Sequence, residues 1–591
     1  MNTTSTHMRL DEATRARLRA RLARLYGDTT ADRVLPRLLT VLERHEGGRW
    51  HAPREELWDE HDAILITYAD SVLSTSEIPL RTLRAFVSGH LSEAFTTLHI
   101  LPFFPYSSDD GFSVTDFRSV REDLGDWPDV QAIADKMHLM VDLILNHVSR
   151  ESLWFTDFVN RRSPGCDYFI EVEPKENLTA VVRPRSTPLL SGVRTPDGMR
   201  HVWATFSNDQ IDLNYSNPDV LLEFVDILLF YISQGARILR LDAVAFVWKE
   251  IGTPCIHLPE THEIVKLLRD VVTAVEPCCL LLSETNVPNE ENLSYFGTGD
   301  EAHMVYQFSL PPLVLHALST GSTCYLNEWA GNLPSPPPGC TYLNFTASHD
   351  GVGLRPLEDV LPSEEIHHLL EHMRQRGGYI STRRNRDGSD IPYELNISYF
   401  DACAVPGAAS PDEQIERFLL TQTLALSLQG VPAVYIHSLT ATPNDRIGVE
   451  RTGHTRAINR RKWDKLELER ELANPDSSTH RVFQEYLRRL QLRRSIPAFH
   501  PDASQRLIEV DDESFALLRE SIDGGEQLLA VYNFAPRPRR LRLPDGAPLF
   551  GDRAEELLSG RRISSLRHGI DMSAYACAWF RLRPATAPTD D

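Results

Sequence analysis

The chain has 591 residues, of which 42% are hydrophobic and 24% charged, ordinary values for a soluble globular protein. That composition excludes a mainly disordered, collagen-like or small disulfide-stapled protein. The length accommodates about four modules of ~150 residues, or fewer if one is an α/β barrel of ~200–250. A formal net charge of −22 argues against nucleic acid or an anionic membrane as partner, while leaving room for a small anion held by a local group of arginines.

The N-terminal stretch MNTTSTHMRLDEATRARL has no apolar core of signal-peptide length. No run of about 18 apolar residues follows it, so the chain reads as soluble and cytoplasmic. Residues from about 10 to 50 have helical spacing, with Leu10, Leu18, Leu22 and Leu25 separated by arginines. This helix is expected to pack its leucines on the main domain and solvate its arginines, rather than lie on a membrane. Residues 1–60 form an N-terminal helical extension on this reading.

From residue 64 short apolar runs alternate with helical segments. The runs are AILITY at 63–68, LHIL at 98–101, LMVDLIL at 139–145, ILRL at 238–241, LLL at 280–282, VYQF at 305–308, YLNF at 342–345 and VYI at 434–436. Continuous apolar strands between helices predict parallel strands buried on both faces, and eight of them predict an α/β fold of the (β/α)8 TIM-barrel type over 61–490. Two spacings are too long for a single helix, about 150–215 and about 355–412. They are expected to be loop insertions over the C-terminal face of the barrel, where such folds build their sites. Beyond 490, short runs such as Leu528 to Tyr532 predict a C-terminal antiparallel β domain over 491–591, with a frayed tail from Pro584. The eight cysteines show no metal-ligand spacing and are read as reduced thiols.

The informative residues are the polar ones at the ends of the predicted strands. The third run leads through Asp142 to Asn146 and His147, the fourth carries Arg240 and Asp242, the fifth leads to Glu284, and the seventh leads to His349 and Asp350. Asp242, Glu284 and Asp350 would therefore meet at one mouth of the barrel. Retaining glycoside chemistry needs a carboxylate nucleophile and a carboxylic acid with their carboxyls ~5–5.5 Å apart, a distance that neighbouring strands can supply. Arg240 is expected to keep Asp242 ionised as the nucleophile. Burial after Leu282 is expected to keep Glu284 protonated as the acid. Asp350 would hold sugar hydroxyls, and His147 and His349 would donate hydrogen bonds to the same ring. One such aspartate is commonplace; four ordered sites are not.

These residues resemble the four signature regions of the α-amylase family, glycoside hydrolase family 13. Within that family the segments LITYAD at 65–70, HILPFFP at 99–105, LGDW at 124–127, LRLDAV at 239–244 and AINR at 457–460 are similar to the sucrose-phosphorylase branch, from about residue 60 to the C-terminus. The resemblance implies that Asp242 forms a covalent glucosyl-enzyme, Glu284 is the general acid/base and Asp350 stabilises the transition state. It implies that Asp109 and Phe112 hold the glucose ring, with Arg456 or Arg460 beside it. It further implies that inorganic phosphate is the co-substrate, with no cofactor and no calcium although Asn146 is present. The acceptors of the branch are glycerate, fructose, fructose 6-phosphate and glycerol. The long chain, the segment KEIGTPCIHLPETHE at 249–263 and the segment DGSDIPYELN at 387–396 lean toward glucosylglycerate, with sucrose as the alternative. A carboxylate and a phosphate both need cations, and the insertions supply Arg183, Arg185, Arg383, Arg384 and Arg386. The expected partners are thus a small sugar and phosphate, on a monomer or homodimer. A hydrolase or glucosyl-transferring isomerase would differ in not depending on phosphate.

Overall fold

Each of the eight apolar runs is a strand in the computed structural model, which describes residues 10–45, 56–385, 388–407, 410–551, 553–563 and 565–583. The strands are β1 (Ile64–Thr67), β2 (Thr97–Ile100), β3 (His138–Ile144), β4 (Ala236–Asp242), β5 (Leu280–Ser283), β6 (Met304–Tyr306), β7 (Thr341–Asn344) and β8 (Val431–Tyr435). Each pairs in parallel with its sequence neighbour, and β1 pairs with β8 to close the barrel. Apart from His138 their residues are all buried. That is why these strands read as unbroken apolar runs with no alternation. Arg386 and the tail from Pro584 lie outside the described residues.

The N-terminal segment forms two helices, α1 (Glu12–Tyr26) and α2 (Asp28–Arg44), joined at Gly27 with φ 79°. Leu18, Leu22 and Leu25 are buried, as their spacing predicts. The arginines between them are not simply solvated. Arg21 lies 3.3 Å from Glu263, 3.1 Å from Asp270 and 3.3 Å from Asp300, and Arg24 lies 2.7 Å from Glu263. Glu263 and Asp270 belong to α3 (Pro259–Val275), the helix between β4 and β5. Residues 17, 21 and 24 form a stripe one position from the leucine stripe, so the buried leucines and the ionic contacts to α3 lie on neighbouring positions of one face of α1. No described helix is long and apolar enough to cross a membrane.

Both long spacings hold small antiparallel structures. In the first, His147–Ser149 pairs with Gln210–Asp212, and Leu190–Thr195 with Gly198–Trp203. In the second, Tyr379–Arg384 and Asp390–Asn396 form a hairpin whose second strand also pairs with Val352–Gly353 and so lies in the middle of a three-stranded sheet. After the barrel, a six-stranded antiparallel sheet includes Ser514–Glu520, Gln527–Asn533 and Cys577–Leu582. Its central strand alternates strictly. Leu528, Ala530 and Tyr532 join the barrel's core, while Leu529 and Val531 join a separate core on the other face.

Candidate active site

β4 ends on Asp242, and its pairing with β5 sets Arg240 opposite Leu282 and Leu241 opposite Ser283. The next residue of β5's path, Glu284, continues this register through its N–H to the Leu241 carbonyl at 3.1 Å. Asp242 and Glu284 therefore stand side by side at the spacing of adjacent strands, ~4.8 Å. Between them the backbone turns sharply: Ala243 has φ 49°, a left-handed conformation, and its N–H donates to Glu284 Oε2 at 2.9 Å.

Arg240 shares a strand face with Asp242, two residues on. Its buried guanidinium bonds Asp242 Oδ1 at 2.7 Å, bonds Asp142 through the same nitrogen, and lies 3.9 Å from Glu284 Oε1. His99 Nε2 engages the other Asp142 oxygen at 2.7 Å, so the cation is fixed by a chain of buried partners. Burial is the strongest influence on both active-site acids. It pushes Asp242 up to about 6, against the pull of Arg240. Arg240 is paired with Asp242, whose ionised form it was expected to favour, and desolvation outweighs its pull, so the carboxyl ionises only above about pH 6. Burial also pushes Glu284 up to about 7. Arg240 opposes that shift too, and the negative charges of Asp242 and Asp350 add to it.

Asp350 lies six residues beyond the end of β7, on a loop rather than a strand end. Asn459 Nδ2 donates to the carbonyls of Ser348 and Asp350, both at 3.1 Å, and Arg460 Nε donates to the His349 carbonyl at 2.8 Å. Burial would raise the Asp350 carboxyl, but Arg456 at 2.6 Å and Arg460 at 3.7 Å hold it below the usual carboxylate range. Arg460 also pairs with Asp110 at 2.6 Å. Phe112 stacks on His349 with ring centres 4.7 Å apart, and the Arg240 guanidinium lies 5.8 Å from the Phe112 ring. His147, expected to donate to the sugar, has a partner at each ring nitrogen. Its Nε2 meets the Phe112 carbonyl at 3.0 Å, and its Nδ1 lies 3.3 Å from the Asn146 amide. The imidazole, kept neutral mainly by burial, braces the Phe112 turn. Asp109 accepts from Gln210 at 3.3 Å.

A cavity of about 860 Å³ opens here, lined by Asp109, Asp110, Arg185, Glu394, Arg456 and Arg460 among others. Both insertions contribute to its wall. Asp242, Glu284 and Asp350 are not among its lining residues; Arg456 and Arg460 connect it to Asp350. The oxygens of Asn146 and Asp212 do not fit a calcium ion. Lys249 Nζ bonds them at 2.6 and 2.7 Å, so an ammonium holds the place where such a cation would sit.

The chain matches the family model of the α-amylase catalytic domain over residues 93–328. It is 46% identical to a glucosylglycerate phosphorylase of Spirochaeta thermophila over 523 residues, 88% of this chain and 89% of the relative. It is 45% identical to a glucosylglycerate phosphorylase of Escherichia coli, over 85% of this chain and 90% of the relative. The chain belongs to the phosphorylase branch of the α-amylase family. The fold is shared with the crystal structure of a sucrose 6F-phosphate phosphorylase from Thermoanaerobacter thermosaccharolyticum, with a TM-score of 0.71, 24% identity, and coverage of 85% of this chain and 98% of that one.

In this member of the α-amylase family the structure gathers Asp109, Phe112, Arg240, Asp242, Glu284, His349, Asp350, Arg456 and Arg460 into one site. It does not bring Arg383 and Arg384 there. Arg383 pairs with Glu358 at 2.8 Å and Arg384 with Asp390 at 3.3 Å, and both line a different cavity. The insertion arginine that does reach the site is Arg185. Its guanidinium lies 5.1 Å from the Tyr393 ring and 5.7 Å from the Phe206 ring, and among the described residues it pairs with no carboxylate. Sequence reading named Arg185 only as one of several loop cations. It held Glu394 only as part of the segment 387–396 and not as a site residue; this buried carboxylate takes Arg456 at 2.6 and 2.9 Å and the Gly351 N–H at 3.0 Å. No local signal marks Glu394, because its partners come from distant segments.

Proposed function

We propose that this chain transfers glucose from an α-glucoside, glucosylglycerate, to inorganic phosphate with retention, giving α-glucose 1-phosphate. The observation that carries the chemistry is the adjacency of Asp242 and Glu284 around one buried guanidinium. The likeness to glucosylglycerate phosphorylases supports phosphate rather than water as the acceptor here. Asp242 attacks the anomeric carbon while Glu284 delivers its proton to the departing glycosidic oxygen. Phosphate then attacks from the face the leaving group has vacated, opposite Asp242, and breaks the ester bond to Asp242, while Glu284 receives a proton from the incoming phosphate. Asp350, oriented by Arg456, holds sugar hydroxyls as positive charge builds at the anomeric carbon. Arg185 supports the phosphate step, because it is the cavity cation without a carboxylate partner among the described residues.

Phosphorolysis needs Asp242 ionised and Glu284 protonated. With their pKa values pushed up to about 6 and about 7, kcat/KM is expected to rise as pH increases through about 6 and fall as it passes about 7. The two limbs report the pair rather than single residues. A pH–rate profile checks this, and a rate that stays flat between about pH 5 and 8 would remove the assignment.

The acceptor is tested in the synthetic direction. Glucose 1-phosphate is supplied with D-glycerate, fructose, fructose 6-phosphate or glycerol in parallel, and phosphate release is measured. Release with D-glycerate alone is the expected result. Release with fructose instead would make the chain a sucrose phosphorylase, and equal release with no acceptor would make it a hydrolase.

A further inference from the structure

A second cavity, of about 370 Å³, lies between the two insertions and shares no lining residue with the catalytic one. The two segments that form it build both cavities in succession. Val181, Val182 and Arg183 line the second cavity while Arg185 and Ser186 line the first; Arg383 and Arg384 line the second while Ile380, Ser381 and Thr382 line the first. Arg355, from the segment after β7, completes the second cavity.

Four arginines thus face one small space, and their charges are incompletely matched. Arg383 bonds Glu358 at 2.8 Å and Arg384 lies 3.3 Å from Asp390. Arg355 stands 3.7 Å from Glu291 and 4.0 Å from Glu358, too far for hydrogen bonds, and Glu291 is also engaged by His257 at 3.2 Å. Arg183 pairs with no carboxylate among the described residues; its hydrogen bond goes to the Thr187 carbonyl. Burial and the neighbouring charge of Arg384 both lower its pKa, as expected for like charges held together. The Nε atoms of Arg183, Arg355 and Arg383 are buried without a hydrogen-bond partner among the described residues. Buried donors left unpaired are costly, and native proteins seldom keep three together without something to satisfy them.

We propose that this cavity is a second anion site, taking a small phosphate- or carboxylate-bearing ligand on the guanidinium groups of Arg183, Arg355, Arg383 and Arg384. Guanidinium forks present paired donors to planar carboxylates and to phosphate. The volume lies near the lower end for small-ligand sites, which suits inorganic phosphate or a three-carbon acid. A bound oxyanion would join the first insertion, the hairpin and the segment after β7, and so tie together the two walls that carry Arg185 and Glu394 to the catalytic cavity. The proposal does not depend on the reaction assigned above, because binding and not turnover is measured.

The test uses the full chain in buffers free of oxyanions, with inorganic phosphate and D-glycerate as separate probes and glycerol as the uncharged control. Binding is followed by calorimetry and thermal shift. Arg185→Ala removes the catalytic-cavity cation that has no carboxylate partner among the described residues, so binding that survives it reports the second cavity. At least one anion is expected to bind Arg185→Ala with 1:1 stoichiometry, and adding Arg183→Gln and Arg384→Gln is expected to weaken that binding tenfold or more. Arg183→Lys, which keeps the charge and loses the fork, is expected to give an intermediate affinity and guards against a folding defect. Which anion binds identifies the source of the ligand. If neither anion binds Arg185→Ala, or if binding is equally tight with and without the Arg183 and Arg384 substitutions, the second site does not exist.

Discussion

Asp242→Asn is expected to abolish both phosphorolysis and the reverse synthesis, by about four orders of magnitude or more. The substitution keeps the size of the side chain and its contact with Arg240 at 2.7 Å, but removes the nucleophile that forms the glucosyl-enzyme. Both directions pass through that intermediate, so they fall together, and an activated donor such as glucosyl fluoride cannot rescue either. Initial rates in both directions, together with mass spectrometry of the trapped protein, check this. A variant that retained a tenth of its activity, or still acquired a glucosyl mass, would move the nucleophile elsewhere. Arg240 would lose one of its buried charge partners in this variant, so a stability measurement should accompany the assay.

Glu284→Gln is expected to behave differently according to the leaving group. General acid catalysis contributes about 10²–10⁴-fold, and that factor is lost only where the departing oxygen needs a proton. Phosphorolysis of a natural glucoside should fall by about that amount, while glucosyl fluoride should still load Asp242 at a rate close to that of the unaltered enzyme. The limb of the pH profile near 7 should disappear with it. Equal losses for both donors would deny Glu284 the role of acid. The Ala243 N–H can still donate to the amide oxygen of glutamine as it does to Glu284 Oε2 at 2.9 Å, so the site's geometry is preserved.

The barrel is legible in the sequence because its strands are buried on both faces. Runs such as LMVDLIL at 139–145 have no rival reading once eight of them recur between helices. Asp242 and Glu284 are legible for a related reason: a charge at the end of an apolar strand in a barrel of this kind points at the site. The insertions are not legible in the same way. Tyr379–Arg384 reads YISTRR, with residues that are exposed or half-buried, and a strand without an apolar face leaves no periodic mark. Arg21 and Arg24 of α1 could not be assigned either, since their carboxylate partners lie about 240–280 residues away. The same holds for Arg183 and Arg185, two residues apart and alike in composition, which the fold sends to different cavities. Sequence shows that a cation is present; only the crossing of two loops decides what it faces.

The left-handed turn at Ala243 carries a consequence for how this protein can change. A side chain with φ 49° sits where glycine would be at ease, at a cost of roughly 1–2 kcal/mol. Glycine there would relax the backbone, yet it would also free the peptide whose N–H meets Glu284 to sample other directions. Stability and rate therefore make opposite demands on one methyl group. Variants enriched by heat alone would drift toward a looser hinge between the two reacting carboxyls, so breeding this enzyme for endurance requires screening turnover at the same time.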